Sequence, residues 1–176
     1  MEITVTQLTD IDLARKACSF TSSKESKITL ERLAQCEHSP LRCIMFCVEM
    51  RDIPTFVSVH LVRHKIGVEH FVKSNREDLA GYTGDTGRNH PVNHMMLINA
   101  QALIQLARKR LCSKAHAETQ AVVRDIVSKL PAELAKFCVP ECEYRGGICY
   151  ELKPCGRGTP VRSLSKRAAQ SVEDPR

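Results

Sequence analysis

An apolar stripe in the middle of the chain restricts the possible folds more than any other feature of the sequence. Apolar residues recur there at spacings of four, three, four and four residues, at Met96, Ala100, Leu103, Ala107 and Leu111. This repeat keeps the side chains on one face of an α-helix. The sequence therefore predicts a long helix that begins at about Asn93 and buries one face.

The composition can supply the core that such a helix needs. Of the 176 residues, 43% are hydrophobic and 26% are charged, which excludes wholesale disorder and a fold held together by disulfides alone. No apolar run reaches the roughly eighteen residues of a membrane-spanning helix. The net charge of +6 favours an anionic partner.

Shorter elements are predicted on either side of the stripe. Helices are expected where a capping residue or a helix-starting proline opens a segment: from Thr9 or Asp10 to Ala17, from Thr29 to about Cys36, from Pro54 to about Lys65, and over residues 115–130. Residues 42–50 are rich in Ile, Phe, Val, Met and Cys, which predicts a buried strand. Residues 68–72 are expected to be extended.

Two segments have the composition of loops or tails. Residues 77–90 contain three glycines, two threonines and two aspartates, which indicates a long surface loop or flap of the kind that often has a function. Residues 157–176 are basic, with little that is large and apolar, and are predicted to be a disordered tail. The tail holds half of the net charge. We therefore expect a folded domain over residues 1–136, a cysteine-rich segment over 137–156 and a tail over 157–176.

Nine cysteines are a high and odd number. Without a leading secretory signal, they indicate free thiols in a reducing cytoplasm. Cys18, Cys36, Cys43, Cys47 and Cys112 are interpreted as small buried hydrophobes. Four lie close together near the end of the chain and could bind zinc or an iron–sulfur cluster, although packed free thiols or a disulfide are alternatives: Cys138, Cys142, Cys149 and Cys155.

Two short segments concentrate groups that bind anions. His60, Arg63, His64 and Lys65 cluster at the end of the predicted Pro54 helix, where they suit a phosphate or carboxylate or, alternatively, complement the helix dipole. Ser74 and Arg76 follow a few residues later. A hydroxyl and a guanidinium at this spacing can hold a phosphate, or they belong to an exposed polar turn.

The predicted long helix adds polar residues beside its apolar stripe. Asn99 and Arg110 are eleven residues apart, three turns of a helix, and so lie nearly above one another. Gln101 and Gln105 form a second pair. These four side chains need polar partners if they are buried. The alternative is a solvated flank with an ordinary basic last turn.

These residues resemble the motifs of the flavin-dependent thymidylate synthases. The family's Arg-His-Arg and Ser-x-Arg are matched by Arg63-His64-Lys65 and Ser74-Asn75-Arg76. Its Asn-Ala, Arg, Ala and Glu pattern on and after a long helix is matched at Asn99-Ala100, Arg110, Ala115 and Glu118. The likeness covers roughly residues 8–130.

Several positions depart from the family pattern. Lys65 replaces an arginine, His60 a glutamine, and the Ser74 motif needs one inserted residue. Other departures are at Arg42, Val72, Glu77, Gln101 and Gln105. We interpret the chain as a divergent, phage-encoded branch, located in the cytoplasm or, for a phage, in the host cytoplasm.

The resemblance implies a fold, a reaction and an assembly. The fold is α/β (α+β), with helices packed on a mixed or antiparallel sheet; no Gly-x-Gly-x-x-Gly turn is present, so it is not a Rossmann fold. The reaction is the reductive methylation of dUMP to dTMP with methylenetetrahydrofolate, FAD and NADPH. The active sites form between subunits of a homotetramer, with no membrane partner and no expected nucleic-acid partner.

The resemblance also assigns roles to individual residues. Arg63, His64 and Arg110 are the catalytic candidates. The dUMP-binding candidates are His60, Ser74, Arg76 and Arg110. The cofactor-binding candidates are Arg63, His64, Lys65, Asn99, Gln101 and Gln105. Two alternative functions are a pyrimidine-nucleotide hydroxymethylase on the same fold and a metal-stapled nucleic-acid-binding protein.

Overall fold

A four-stranded antiparallel sheet forms the centre of the computed structural model, which describes residues 1–82, 84 and 87–163. The strand order is β1-β2-β4-β3. The strands are β1 (Glu2–Gln7), β2 (Met45–Pro54), β3 (Val68–Val72) and β4 (Pro91–Asn99). β4 pairs with β2 on one side and with β3 on the other. The expected α+β fold with helices on an antiparallel sheet is therefore confirmed.

The predicted long helix from Asn93 is wrong over its first part. Residues 91–99 form the inner strand β4, and the helix α4 covers only Ala100–Arg110. Within β4 every second residue is buried, from Val92 to Ile98, which is the period of a strand. Met96 satisfies both the helical and the strand period. The sequence stripe therefore runs across the strand–helix junction without interruption.

Six further α-helices are described. They are α1 (Ile11–Ser22), α2 (Leu30–Gln35), α3 (Thr55–Leu61), α5 (Ala117–Ser128), α6 (Ala132–Ala135) and α7 (Glu141–Tyr144). The side chains of Asp10 and Thr29 cap α1 and α2, as predicted. Pro54 is the N-cap residue of α3. This helix ends at Leu61 rather than at Lys65, so the basic residues lie in the turn that follows it.

Other sequence predictions need adjustment at their edges. The chain forms a 3-10 helix over Ser39–Cys43 before β2 begins, so the predicted strand over 42–50 starts later and continues to Pro54. The extended segment over 68–72 is confirmed as β3. The strand β1 was not predicted. In the described part of residues 77–90 there is no helix or strand, as expected for a loop.

The core lies between the sheet and the helices. On the covered face, Phe46, Val48 and Ile98 are fully buried, and Leu103 of α4 and Ile126 of α5 belong to the same cluster. On the opposite face, side chains are only half-buried or exposed: Met45, Cys47, Phe71, Met95 and Leu97. The sheet thus presents an apolar face that none of the described helices covers.

The C-terminal segment packs against the end of α4. Arg108 of α4 is 6% exposed and donates to the Glu37 carboxylate at 2.8 Å. The Tyr144 hydroxyl donates to the same oxygen at 2.5 Å. Beyond α7, β5 (Ile148–Cys149) pairs in parallel with β6 (Thr159–Pro160). The first part of the predicted tail therefore forms a strand, whereas residues 164–176 lie outside the described residues.

No described helix combines the length and the apolar character that crossing a membrane requires.

Candidate active site

Arg110 and His64 form the centre of the candidate site. His64 lies in the turn after α3, and Arg110 is the last residue of α4. The Arg110 Nε donates to His64 Nε2 at 2.9 Å, and its NH2 group donates to the His60 carbonyl at 2.6 Å. These two bonds join the carboxyl ends of two helices that are far apart in the sequence.

The hydrogen bond from Arg110 determines the state of the His64 ring. Because Nε2 accepts a hydrogen bond from the guanidinium N–H, a neutral His64 carries its own proton on Nδ1. Burial is the main cause that lowers the pKa of His64 to about 4, and the charge of Arg110 and the neighbouring His70 add to this effect. The ring is therefore neutral near pH 7, and its Nδ1–H is available as a donor.

A pocket of about 330 Å³ opens beside this pair, and its lining is strongly basic. The charged side chains around it are Arg63, Lys109, Arg110, Lys114 and Glu151. Burial first, and then the charge of nearby Arg63, lower the pKa of Arg110. Such an arrangement attracts a multiply charged anion.

The cysteine-rich segment forms one wall of this pocket. The Glu151 carboxylate lies 3.4 Å from Lys109 Nζ, and Lys114 Nζ donates to the Lys153 carbonyl at 2.5 Å. Both contacts connect the end of α4 or the following loop to residues far along the chain. The pocket is therefore built from residues of the two sequence motifs and from the C-terminal segment together.

His60 contacts Arg110 through its backbone and other groups through its ring. Its Nδ1 is 2.9 Å from the Thr119 hydroxyl of α5. The ring also lies against Phe56 and His116. Burial first, and then the charge of Arg110, lower the pKa of His60. This side chain therefore joins α3 to α5 at the edge of the candidate site.

Ser74 and Arg76 lie apart from the pair formed by His64 and Arg110. Both are exposed, and Arg76 makes two hydrogen bonds to the Asp78 carboxylate, at 2.9 and 2.7 Å. Ser74 lines a different pocket, together with Lys73 and His90. Within one chain, the two predicted phosphate-binding segments therefore belong to separate surfaces.

The predicted cofactor residues of the α4 region have different environments. The Asn99 side chain accepts from the backbone N–H of Ala102 at 2.9 Å and so caps α4. The Gln101 side chain accepts from Arg42 Nε at 2.6 Å. Gln105 and Lys65 are exposed. Of these residues, Asn99 has a clear structural function, because it closes the first turn of the helix.

The predicted metal site is not formed. Among the residues that the structure describes, no group of three or more His, Cys, Asp or Glu could hold a metal ion. Cys138 is buried in the main core, where burial raises the pKa of its thiol to about 12. Cys142, Cys149 and Cys155 instead line a small cavity together with Cys112. The four predicted ligands therefore do not converge.

All nine cysteines are free thiols, whereas the sequence indicated free thiols for most of them. The interpretation of the other five as buried hydrophobes is only partly correct. Cys18 is buried, Cys43, Cys47 and Cys112 are half-buried, and Cys36 is exposed.

A hydrogen-bonded chain that sequence reasoning missed lies behind the site. It consists of Ser58 on α3, His94 on β4 and His70 on β3, and it ends at the backbone carbonyl of His64. His94 is 1% exposed. The signal that could have revealed it is the inward-facing position of His94 in the strand alternation, which was hidden because this segment was interpreted as a helix.

The arrangement of the sheet and helices places this protein in the α+β fold class. An antiparallel sheet carries helices on one face, and the candidate site lies at the carboxyl ends of α3 and α4 rather than at a glycine-rich phosphate turn. No model of a known family matches the sequence, and no curated protein matches it either. Solved structures, in contrast, share this fold.

Two similar structures are of thymidylate synthase X (ThyX) from Helicobacter pylori with FAD and dUMP. Both have a TM-score of 0.66 and 16% sequence identity; the match covers 79% of this chain and 99% or 100% of theirs. A UMP/dUMP methylase, PolB from Streptomyces cacaoi bound with 5-Br dUMP, has a TM-score of 0.57 and 14% identity, over 77% of this chain and 94% of its own. At these identities the likeness shows the fold.

Proposed function

We propose that this chain is a flavin-dependent enzyme that acts on dUMP, with reductive methylation to dTMP as its reaction. The observation that carries the proposal is the bond between Arg110 and His64 beside a basic pocket. These two residues are among those that the sequence motifs select. The similar solved structures, which contain FAD and dUMP or a dUMP analogue, support the same function.

Arg110 is proposed to bind the nucleotide. Its guanidinium is held from one side by His64 and by the His60 carbonyl, so its orientation is fixed before the ligand arrives. A charge-assisted hydrogen bond from a fixed guanidinium is stronger than one between neutral groups. In this proposal Arg63 and the neutral His64 ring complete the catalytic group, with the His64 Nδ1–H as a donor to the reacting molecules.

Two residues that line the pocket, Arg63 and His64, fit a flavin dinucleotide in their donor chemistry. Arg63 supplies a cation for a pyrophosphate, and the Nδ1–H of His64 supplies a donor for a carbonyl oxygen of the ring system. Lys65, Asn99, Gln101 and Gln105 do not line this pocket, and the family resemblance alone assigns them to the cofactor. The proposed FAD-binding residues are Arg63, His64, Lys65, Asn99, Gln101 and Gln105. When bound, reduced FAD supplies the hydride for the one-carbon unit that methylenetetrahydrofolate donates, and NADPH is the proposed source of the electrons.

We further propose that the active enzyme is a homotetramer with shared sites. Ser74 and Arg76 are assigned to the dUMP phosphate, yet they lie on a different surface from Arg110 within one chain. A second subunit could bring them to it. The half-buried apolar face of the sheet, at Cys47, Met95 and Leu97, is a surface of the kind that subunit contacts cover. The cysteine-rich segment over 137–156 is then an addition that lines the pocket.

One set of measurements on the purified protein tests this function. We expect a yellow protein whose flavin is released on denaturation. With methylenetetrahydrofolate and NADPH it converts dUMP to a product with the mass of dTMP; a hydroxymethylated product would be heavier by one oxygen. The gene should also rescue a thymidine-requiring bacterium. A protein that binds neither flavin nor dUMP would overturn the proposal.

A further inference from the structure

Three side chains from three elements form a continuous hydrogen-bonded chain below the candidate site. Ser58 Oγ is 3.1 Å from His94 Nδ1, His94 Nε2 is 2.9 Å from His70 Nδ1, and His70 Nε2 is 2.7 Å from the His64 carbonyl oxygen. Ser58 and His94 are buried, and His70 is half-buried. None of these three residues belongs to the motifs that suggested the proposed function.

When both rings are neutral, the direction of every bond in this chain follows from its last acceptor. The His64 carbonyl can only accept, so His70 carries a proton on Nε2. A neutral His70 then has a bare Nδ1, which accepts from the Nε2–H of His94. The bare Nδ1 of His94 in turn accepts from the Ser58 hydroxyl. Burial lowers the pKa of His94 to about 4, so this ring is neutral near pH 7, as the arrangement requires.

The chain holds the backbone at the residue on which Arg110 depends. His64 follows the end of α3, and its N–H donates to the Leu61 carbonyl at 3.0 Å. His70 holds the other side of the same residue, at the carbonyl. Ser58 lies within α3 itself, so the chain ties both the helix and the turn after it to the inner strand β4 and the edge strand β3. Hydrogen bonds to its N–H and to its carbonyl therefore hold the His64 backbone in place, and the backbone sets where the ring begins.

We propose that His70 is a positioning residue of the candidate site: its Nε2–H fixes the His64 peptide, and the fixed His64 ring orients the Arg110 guanidinium. The role in ligand binding rests on the proposed function. The hydrogen bonds themselves do not, so the two can be tested separately.

The bonds are tested without any ligand, by two-bond ¹H–¹⁵N spectra of the histidine rings. In the wild-type protein we expect the proton on Nε2 for His70 and His94 and on Nδ1 for His64. The Arg110 Nε–H should exchange slowly with solvent. In His70→Leu, the Arg110 Nε–H should exchange faster. A His94 proton on Nδ1, or an unchanged Arg110 signal in the variant, would overturn the proposal.

Ligand binding is tested by titration of dUMP into three variants. His70→Leu removes the donor, whereas the side-chain amide of His70→Gln can reach the same carbonyl. We expect the dissociation constant to rise about tenfold in His70→Leu, in line with the loss of one hydrogen bond, and to recover to within about threefold in His70→Gln. Glu69→Gln, at an exposed neighbouring position, is the matched control and should bind as the wild-type protein does.

The outcomes separate the two proposals. Equal dUMP binding by the wild-type protein and by His70→Leu contradicts the positioning role. If the wild-type protein itself does not bind dUMP, the proposed function fails, and the spectra alone decide whether His70 positions His64 and Arg110. Far-UV circular dichroism shows whether His70→Leu is folded. If the variant is not folded, the ring-proton positions measured in the wild-type protein test the proposed hydrogen bonds.

Discussion

The guanidinium carbon of Arg108 lies 3.2 Å from the centre of the Tyr144 ring. Both side chains also bond to the Glu37 carboxylate. The three residues come from α4, from α7 and from the turn after α2, so this contact attaches the C-terminal segment to the main body. Among the described residues, Arg108 Nε is the buried side-chain nitrogen that has no hydrogen-bond partner. The remaining contacts of this guanidinium therefore contribute more to its stabilisation.

Removal of the Tyr144 ring should therefore destabilise the protein. We expect Tyr144→Ala to lower the free energy of unfolding by about 2–4 kcal/mol, because it removes the stacked ring and leaves Arg108 with fewer partners. Tyr144→Phe keeps the ring and loses one hydrogen bond, so it should cost about 1 kcal/mol. Urea unfolding of the two variants measures the difference. Equal effects would contradict the stacking contribution.

The same contact should depend on pH in the acid range. The hydrogen bond from Tyr144 is the largest cause that lowers the pKa of Glu37, and Arg108 contributes as well, while burial opposes the shift. A depressed carboxyl pKa gives stability that is present above the pKa of the unfolded state, about 4.3, and that is lost as the pH falls below it. Unfolding between pH 3 and 6 should show this loss in the wild-type protein and less of it in Glu37→Gln.

The buried histidines should produce a second dependence at higher pH. Burial lowers the pKa of both His64 and His94 to about 4, below the value of about 6.5 in an unfolded chain. Between these values the unfolded state binds more protons, so stability should fall as the pH is lowered from about 6.5 towards 4. The slope of the urea midpoint against pH should decrease in His94→Asn. His38→Asn, at an exposed site, should leave the slope unchanged.

Arg110 should be essential for nucleotide binding in the proposed function. We expect Arg110→Ala to weaken dUMP binding by at least about tenfold, because a charge-assisted contact is lost. Arg110→Lys keeps the charge and loses the planar fork, so it should recover only part of the affinity. Arg124→Ala removes an exposed arginine of α5 as the control. A dUMP titration that Arg110→Ala leaves unchanged would remove this residue from the site.

Gly67 should be intolerant of any side chain. Its φ is +75°, and an added Cβ would lie 2.3 Å from the Asn99 amide nitrogen, which belongs to the cap of α4. We expect Gly67→Ala to lower the free energy of unfolding by roughly 2–4 kcal/mol, through backbone strain and loss of the cap. Gly146 has a similar φ of +62° and open space around it. Gly146→Ala should therefore cost only the strain, about 1–2 kcal/mol.

Local signals in the sequence predicted local structure well. The capping residues Asp10 and Thr29 and the helix-starting Pro54 led to three correct helix starts, because each acts within one turn of its own position. Met96 led to an error because its spacing from the apolar residues that follow fits a helix. It belongs to a strand because β4 pairs with β2 and β3, which are distant in the sequence. Pairing between distant strands leaves little trace in a local pattern.

The residues of the candidate site that belong to a sequence motif could be predicted. Arg63, His64 and Arg110 were selected from the family resemblance, and the structure brings His64 and Arg110 into contact. His70 and His94 were missed because their importance comes from a meeting of β3, β4 and α3. The cysteine prediction failed for a similar reason: Cys138 is close to Cys142 in the sequence, yet the fold places it in the core and puts Cys112 beside the other three.

The wall that Glu151 gives to the basic pocket has a consequence for how this protein can change. The strands and long helices that determine folding lie earlier in the chain, whereas this wall comes from a short segment with few core residues. Substitutions there can alter the charge and width of the pocket at little cost to the sheet. Glu151 can thus change while the strands and helices that position His64 and Arg110 keep their sequence, so selection or engineering can alter part of the pocket's charge without touching the core.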